Sequence, residues 1–259
     1  MSARSLVVLA ALLFAITVAW RAPSRWLVAA LPATIECRDP SGSLWEGHCA
    51  QLRLPNGALD QLSWSLHAWP LLLGRLDADV RTDDPRAAGS ARLSLRLGGR
   101  LVASQLRARL PIEGGFMPFF PAGWNGQVDL ALENLELGSG GLIAIEGTAT
   151  VRSLARQEPA MAFGSFELRF APPASDAGTP TDASGVAQGA MAPIRGDLRD
   201  LGGPLAVSGT LAIRHGREYL LSGLVAVRPE GNAELNKIIE YIGPPDAQGR
   251  RSFTLEGSF

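Results

Sequence analysis

Ala91-Arg-Leu-Ser-Leu-Arg-Leu97 alternates apolar with polar side chains along its whole length. Successive side chains of a strand point to opposite faces, whereas a helix needs apolar positions three and four apart. The stretch therefore predicts a strand with one apolar and one wet face. The same period runs outward in both directions. Upstream, Leu76, Ala78 and Val80 alternate with Asp77, Asp79 and Arg81, Leu62, Trp64 and Leu66 alternate with Ser63 and Ser65, and Leu52 and Leu54 flank Arg53. Downstream come Leu106, Ala108 and Leu110, then Val128, Leu130 and Leu132. There the register slips to Leu135 and Leu137, which predicts a β-bulge near Glu133-Asn134.

Gly138-Ser-Gly-Gly141 predicts a turn into Ile143, Ile145, Gly147, Ala149 and Val151, and Phe166, Leu168 and Phe170 follow. Leu205 to Ile213 alternates into a turn at His215-Gly216, Tyr219, Leu221, Gly223, Val225 and Val227 return, and Phe253, Leu255, Gly257 and Phe259 close the chain. About ten or more strands with one apolar face each must curl or split to bury that face. The expected fold is mainly β, a long, curved, mostly antiparallel sheet forming a groove or an incomplete barrel.

Two segments break the period. Ala171–Pro193 has almost no large apolar residue and reads as a disordered loop between strands. Asn232–Gly243 is the best amphipathic helix. Leu235, Ile238, Ile239 and Ile242 share one face, Asn232 can act as N-cap, and Gly243-Pro-Pro stops it. The stripe packs on the sheet or offers an interaction surface to a partner.

The N-terminus departs from both periods. Ser5–Trp20, SLVVLAALLFAITVAW, carries no charge and is bracketed by Arg4 and Arg21. As a helix it covers about 24 Å against a hydrocarbon core of about 30 Å. It reads as a single-pass anchor over 5–21, with 1–4 cytoplasmic and 22–259 forming one β-rich domain; a cleaved signal core is the alternative. Trp20, Arg21, Pro23, Arg25 and Trp26 suit an interfacial anchor better than a cleavage site. Arg21 and Arg25 after the run favour the reverse orientation, but long domains translocate largely regardless of such charges. Trp26–Leu31 then continues the helix or makes an interfacial turn.

A net charge of −1 gives no basis for nucleic-acid binding, and the basic residues, arginines except for Lys237, are scattered over predicted strand faces. At 46% hydrophobic the chain has ample material for a core. Cys37 and Cys49 flank a turn signal at Asp39-Pro-Ser-Gly42. Strands pairing across that turn would bring the thiols within disulfide reach in an oxidising compartment; two unbonded cysteines or half a metal site with His48 are the alternatives. His48 and His215 fall in predicted turns and His67 at a strand end. No metalloprotease, serine-hydrolase or phosphate-loop pattern occurs. Asp83-Asp84 and Asp197/Asp200 fit loops capped by acidic side chains. The chain is therefore expected to be no enzyme, with no catalytic residue, metal, cofactor or small-molecule substrate. Trp45, Trp64 and Trp69 cluster early and read first as core, otherwise as a binding patch.

Gly42-Ser-Leu44-Trp45-Glu-Gly47 follows the N-terminal apolar run, then Leu62-Ser-Trp64 and Pro70-Leu-Leu-Leu-Gly74, and later Tyr219-Leu-Leu-Ser-Gly223, the amphipathic helix and a strand ending in Gly257. In this order and spacing the stretches resemble the type II secretion system protein N family. The resemblance implies a bitopic protein of the bacterial inner membrane with most of its mass in the periplasm. It implies partners among the other secretion subunits, the inner-membrane platform or the outer-membrane secretin, and a role in moving folded proteins across the outer membrane. An exposed sheet edge could add a partner's strand. The competing reading is a membrane-anchored lipid-bridging protein whose groove, lined by residues such as Leu93, Leu95 and Leu97, shields acyl chains.

Overall fold

A computed structural model describes residues 20–29, 32–54, 57–112, 122–172, 193–214, 217–229, 231 and 233–258, with Ala10, Phe14, Thr17 and Val18. Among the described residues thirteen strands form one open sheet in strict sequence order, every neighbour antiparallel. They are β1 (Glu36–Gly42), β2 (Glu46–Leu54), β3 (Gly57–His67), β4 (Arg75–Asp83), β5 (Ala88–Arg96), β6 (Arg100–Pro111), β7 (Trp124–Gly138), β8 (Gly141–Arg156), β9 (Met161–Phe170), β10 (Ile194–Asp200), β11 (Leu205–Arg214), β12 (Glu218–Val227) and β13 (Arg251–Ser258). Helix α1 (Arg25–Ala29) precedes the sheet, a 3-10 turn (Trp69–Leu73) joins β3 to β4, and α2 (Ala233–Glu240) lies before β13.

The registers carry the sequence alternation across the sheet. Leu66, Ala78, Leu93, Ala103, Leu135 and Ile145 are successive cross-strand partners. So are Ala108, Leu130, Ala149, Leu168, Leu198, Gly209, Gly223 and Phe253. Cross-strand partners share a face, so these rows make one side of the sheet apolar. The other side is laced by ion pairs. Asp129 meets Arg109 at 3.2 Å and Arg152 at 2.6 Å, and Glu167 meets Arg199 at 2.6 Å.

The expected bulge is present: Leu132 pairs with Gly147 and Asn134 with Glu146, leaving Glu133 unpaired in the ladder. Three other boundaries differ from expectation. Asp39-Pro-Ser-Gly42 is not a turn but the end of β1, because Asp39 takes a left-handed φ of 51° inside the strand while Pro40 still faces Cys49. The turn comes after it, between Gly42 and Gly47, which pair. α1 is a separate short helix after Pro23. α2 ends at Glu240 rather than running to Gly243, since Tyr241 and Ile242 bond back three residues to Ile238 and Ile239. Asn232, the His215-Gly216 turn, nearly all of Ala171–Pro193 and most of Ser5–Trp20 lie outside the described residues. Among the described residues no helix is long and apolar enough to cross a membrane.

A cluster of buried side chains lies at one corner of the sheet. Met161, Leu205 and Val225 on the sheet and Leu235 and Ile239 on α2 form the buried cluster, with Phe163, Phe166, Val207, Val227 and Phe253 packed around it. An eight-residue helix is unstable in water on its own, so α2 exists because this face is covered.

Candidate functional site

The turn at Gly42–Gly47 is built by its own residues. Gly42 has φ +87°, and a Cβ there would sit 2.5 Å from the Glu46 carbonyl oxygen. The Ser43 N–H donates to the Glu46 carbonyl at 2.7 Å, while the Ser43 Oγ accepts from the Glu46 N–H at 3.0 Å. This closed turn holds the segment that follows the apolar run. Leu44 N–H donates to Ala22 O at 2.7 Å, Ser24 N–H reaches Gly42 O at 3.4 Å, and Pro23 forms a β-bridge with Ser43. Ala22 is 1% exposed and Ser24 4%. The rings of Trp20 and Trp45 lie 6.4 Å apart, within aromatic-pair range. The end of the apolar run is thus seated on the first hairpin.

Trp64 supports the seat from the next strand. It faces Gly47 across the β2–β3 ladder, its Nε1–H donates to Leu44 O at 3.2 Å, and a Cβ on Gly47 would meet its ring at 2.5 Å. Leu66 N–H donates to Trp45 O at 2.6 Å. Cys37 and Cys49 are joined by a disulfide with Cα atoms 5.8 Å apart, tying the edge strand β1 to β2; Cys49 is fully buried. The Pro70–Gly74 stretch falls in the 3-10 turn: Pro70 is its second residue, and Gly74, at φ +69°, ends it with its N–H donating to Leu71 O at 3.0 Å.

Of the three tryptophans read first as core, Trp64 is buried, Trp45 half-buried, and Trp69 is 80% exposed. That corrects the expectation for Trp69, which rides on a connection over which no described element packs.

The Gly47–Trp64 arrangement recurs. Gly196 faces Phe170, Gly223 faces Phe253 and Gly257 faces Tyr219; a Cβ on each glycine would approach the partner ring at 2.9, 3.0 and 2.8 Å. An aromatic ring laid over a strand glycine fills the space the missing side chain leaves. Tyr219 and Gly223 therefore have packing roles in separate pairs. Glycines at in-face positions of the alternation were the available signal, but the partner depends on register, which sequence alone does not display.

In the amphipathic stripe Leu235 and Ile239 are buried, whereas Ile238 and Ile242 are about 40% exposed and Ile242 lies beyond the helix. The acidic residues cap turns. Asp84 accepts from the Asp60 N–H at 3.0 Å and the Arg86 N–H at 2.7 Å. Burial pushes its carboxyl up, but these backbone donors and the nearby Arg86 hold it below the usual range. Burial likewise raises Asp200, outweighed by Arg228 at 2.5 Å and by the Val207 and Gly202 N–H groups, which hold it low. His67 meets Asp79 at 3.5 Å and His48 meets Ser41, each already partnered. Among the described residues no group of three His, Cys, Asp or Glu side chains is arranged for a metal.

These parts offer surface: a seated N-terminal segment, and an apolar sheet face with α2 packed over it at one corner. The family model for type II secretion system (T2SS) protein N matches residues 33–254. Type II secretion system protein N of Aeromonas hydrophila is 24% identical over 240 residues, covering 87% of this chain and 85% of its own. The Vibrio cholerae protein of the same name is 24% identical over 240 residues, covering 88% and 86%. No solved structure matches the chain. With the match running from before β1 into β13, the chain belongs to the type II secretion system protein N family.

Proposed function

We propose that the chain is a non-enzymatic, inner-membrane-anchored component of a type II secretion system. Its N-terminus lies in the cytoplasm and its sheet in the periplasm, where it supports export of folded proteins across the outer membrane by contacting other subunits. The observation that carries the reading is the family match across nearly the whole sheet. The seating of Ala22 and Ser24 on the Gly42–Gly47 turn supports the anchor, because it fixes the sheet rigidly to the end of the apolar run. The disulfide supports the periplasmic side. Deleting the gene should leave exoproteins in the periplasm, and mild crosslinking should co-purify other secretion subunits. Normal secretion by the deletion strain, or recovery of no subunit, would sink the reading.

A second reading rests on the uncovered part of the apolar face. Rows such as Leu93–Ala103–Leu135–Ile145 have no described element packed over them, so the face suits acyl chains. Residues 22–259 purified without detergent should then carry phospholipid in stoichiometric amount. A lipid-free protein discards lipid bridging and leaves the first reading intact.

A further inference from the structure

A second apolar surface lies at the same end of the sheet as the seated segment. β1–β2, β3–β4, β5–β6 and β7–β8 all reverse direction there. The connections leave Trp69 80%, Leu73 78% and Leu97 85% exposed. Leu97 lies against Gly74, and its N–H donates to Gly74 O at 3.3 Å, so the 3-10 turn and the β5–β6 turn make one patch. Beside it, Arg75, Arg96 and Arg100 are direct cross-strand neighbours at the ends of β4, β5 and β6. Arg75 reaches Asp77 at 3.5 Å and Arg100 reaches Glu136 at 3.1 Å, while Arg96 has no carboxylate partner among the described residues. Like charges placed directly opposite destabilise a strand pair, and an anionic surface would reverse that cost.

We propose that this rim rests on the anionic headgroup layer of the bilayer, a second attachment beside the N-terminal run. The proposal rests on the anchored reading above. Where the run ends fixes the occupant. Trp20, its last residue, lies against Trp45, and Trp45 is bonded to Leu66, three residues before Trp69. A chain that leaves a bilayer at Trp20 therefore delivers this end of the sheet to the headgroups, and the α2 corner away from them. The chemistry agrees: tryptophan and leucine side chains enter the interface, and arginines meet lipid phosphates at its surface. The strands then rise from the membrane, and the sixteen-residue β8 reaches about 50 Å from it.

The test uses the full chain in vesicles of phosphatidylethanolamine and phosphatidylglycerol, with its disulfide intact. A nitroxide is attached in turn at Leu73→Cys, at Phe14→Cys in the run and at Glu158→Cys in the β8–β9 turn at the opposite end. Electron paramagnetic resonance then reads accessibility to oxygen against a water-soluble nickel chelate. The labels at 14 and 73 should be protected from nickel several-fold relative to that at 158, and Arg96→Glu or phosphatidylcholine alone should reduce protection at 73. Protection at 14 with position 73 as open as 158 overturns the rim and spares the anchor. Protection at neither position overturns both. Protection at 73 that ignores Arg96→Glu and lipid charge overturns the anionic assignment, and protection at 73 without any vesicle, in detergent with a partner subunit, points to a protein surface instead.

Discussion

Two corners of one sheet meet water differently. Under α2, Met161, Leu205, Val225, Leu235 and Ile239 are each less than 10% exposed. At the other end Leu95, Leu97 and Leu137 are 44%, 85% and 37% exposed. Met161, Leu205 and Val225 come from the same strand-and-turn sequence pattern as Leu95, Leu97 and Leu137. The difference is cover: α2 packs over one set and no described element packs over the other, while the neighbouring β1–β3 end of the sheet is held by a disulfide, a closed turn and a tryptophan bonded to backbone. A period of two says which residues share a face; it does not say which part of that face is covered.

The largest effect should come from uncovering the buried corner. Leu235→Ala removes a side chain only 2% exposed and leaves a cavity, which costs about 2–5 kcal/mol where neighbours cannot collapse into it. Urea unfolding should show that loss together with exposure of the Phe163 and Phe166 surface. A loss under about 0.5 kcal/mol would mean that α2 is not what stabilises this corner.

At the opposite corner the disulfide stands in for cover. Cys37→Ser with Cys49→Ser opens a loop of sequence separation 12, for which chain entropy gives about 3 kcal/mol. The β1–β2 ladder remains, so the measured loss should fall below that of Leu235→Ala. Gly47→Val tests the tryptophan. Its side chain would meet Trp64 at 2.5 Å and the Ser41 and Ser43 carbonyl oxygens at 2.8 and 2.9 Å, an overpacking worth about 1–3 kcal/mol. Trp64 should redden in fluorescence as it leaves Leu44; an unchanged spectrum and stability would dissolve the proposed seat.

The strands, the one-sided face and the bulge at Glu133-Asn134 could be read from spacing because each depends on neighbours in sequence. The first turn could not. Asp39-Pro-Ser-Gly42 has turn composition, yet the ladder to β2 continues past it, and tertiary pairing overrode local preference. The site was half legible. Gly42, Trp45, Gly47 and Trp64 stood out by resemblance, but that Trp64 covers Gly47 follows from register, and that Ala22 docks on Leu44 follows from a contact between segments apolar and polar patterns do not connect. Trp69 was misread for the same reason the two corners differ: an aromatic side chain advertises a preference for burial without supplying the partner.

Acid should weaken the α2 corner. Asp200, beside Arg228 and Val207 at the start of β11, has a folded pKa below its unfolded value, so its contribution is present above the ordinary carboxylate range. That stability fades as pH falls through the folded value. Asp200→Asn should therefore be less stable than wild type at neutral pH, with the gap closing in acid. A gap constant down to low pH would mean the Asp200–Arg228 pair contributes nothing through charge.

The smallest effect is the one that defines the comparison. Leu97→Ala removes as large a side chain as Leu235→Ala, from a residue 85% exposed. Its methyl groups touch Gly74 and otherwise face water, so little transfer free energy is lost and no cavity forms. The change in unfolding free energy for the protein in solution should stay within about 0.5 kcal/mol. A loss approaching that of Leu235→Ala would show that something does pack over the rim, and the two corners would then be held by the same means. If the expected small value is found, folding does not account for an apolar side chain at Leu97. An apolar residue that contributes nothing to stability and sits beside three aligned arginines is explained by what the rim touches rather than by what it holds together.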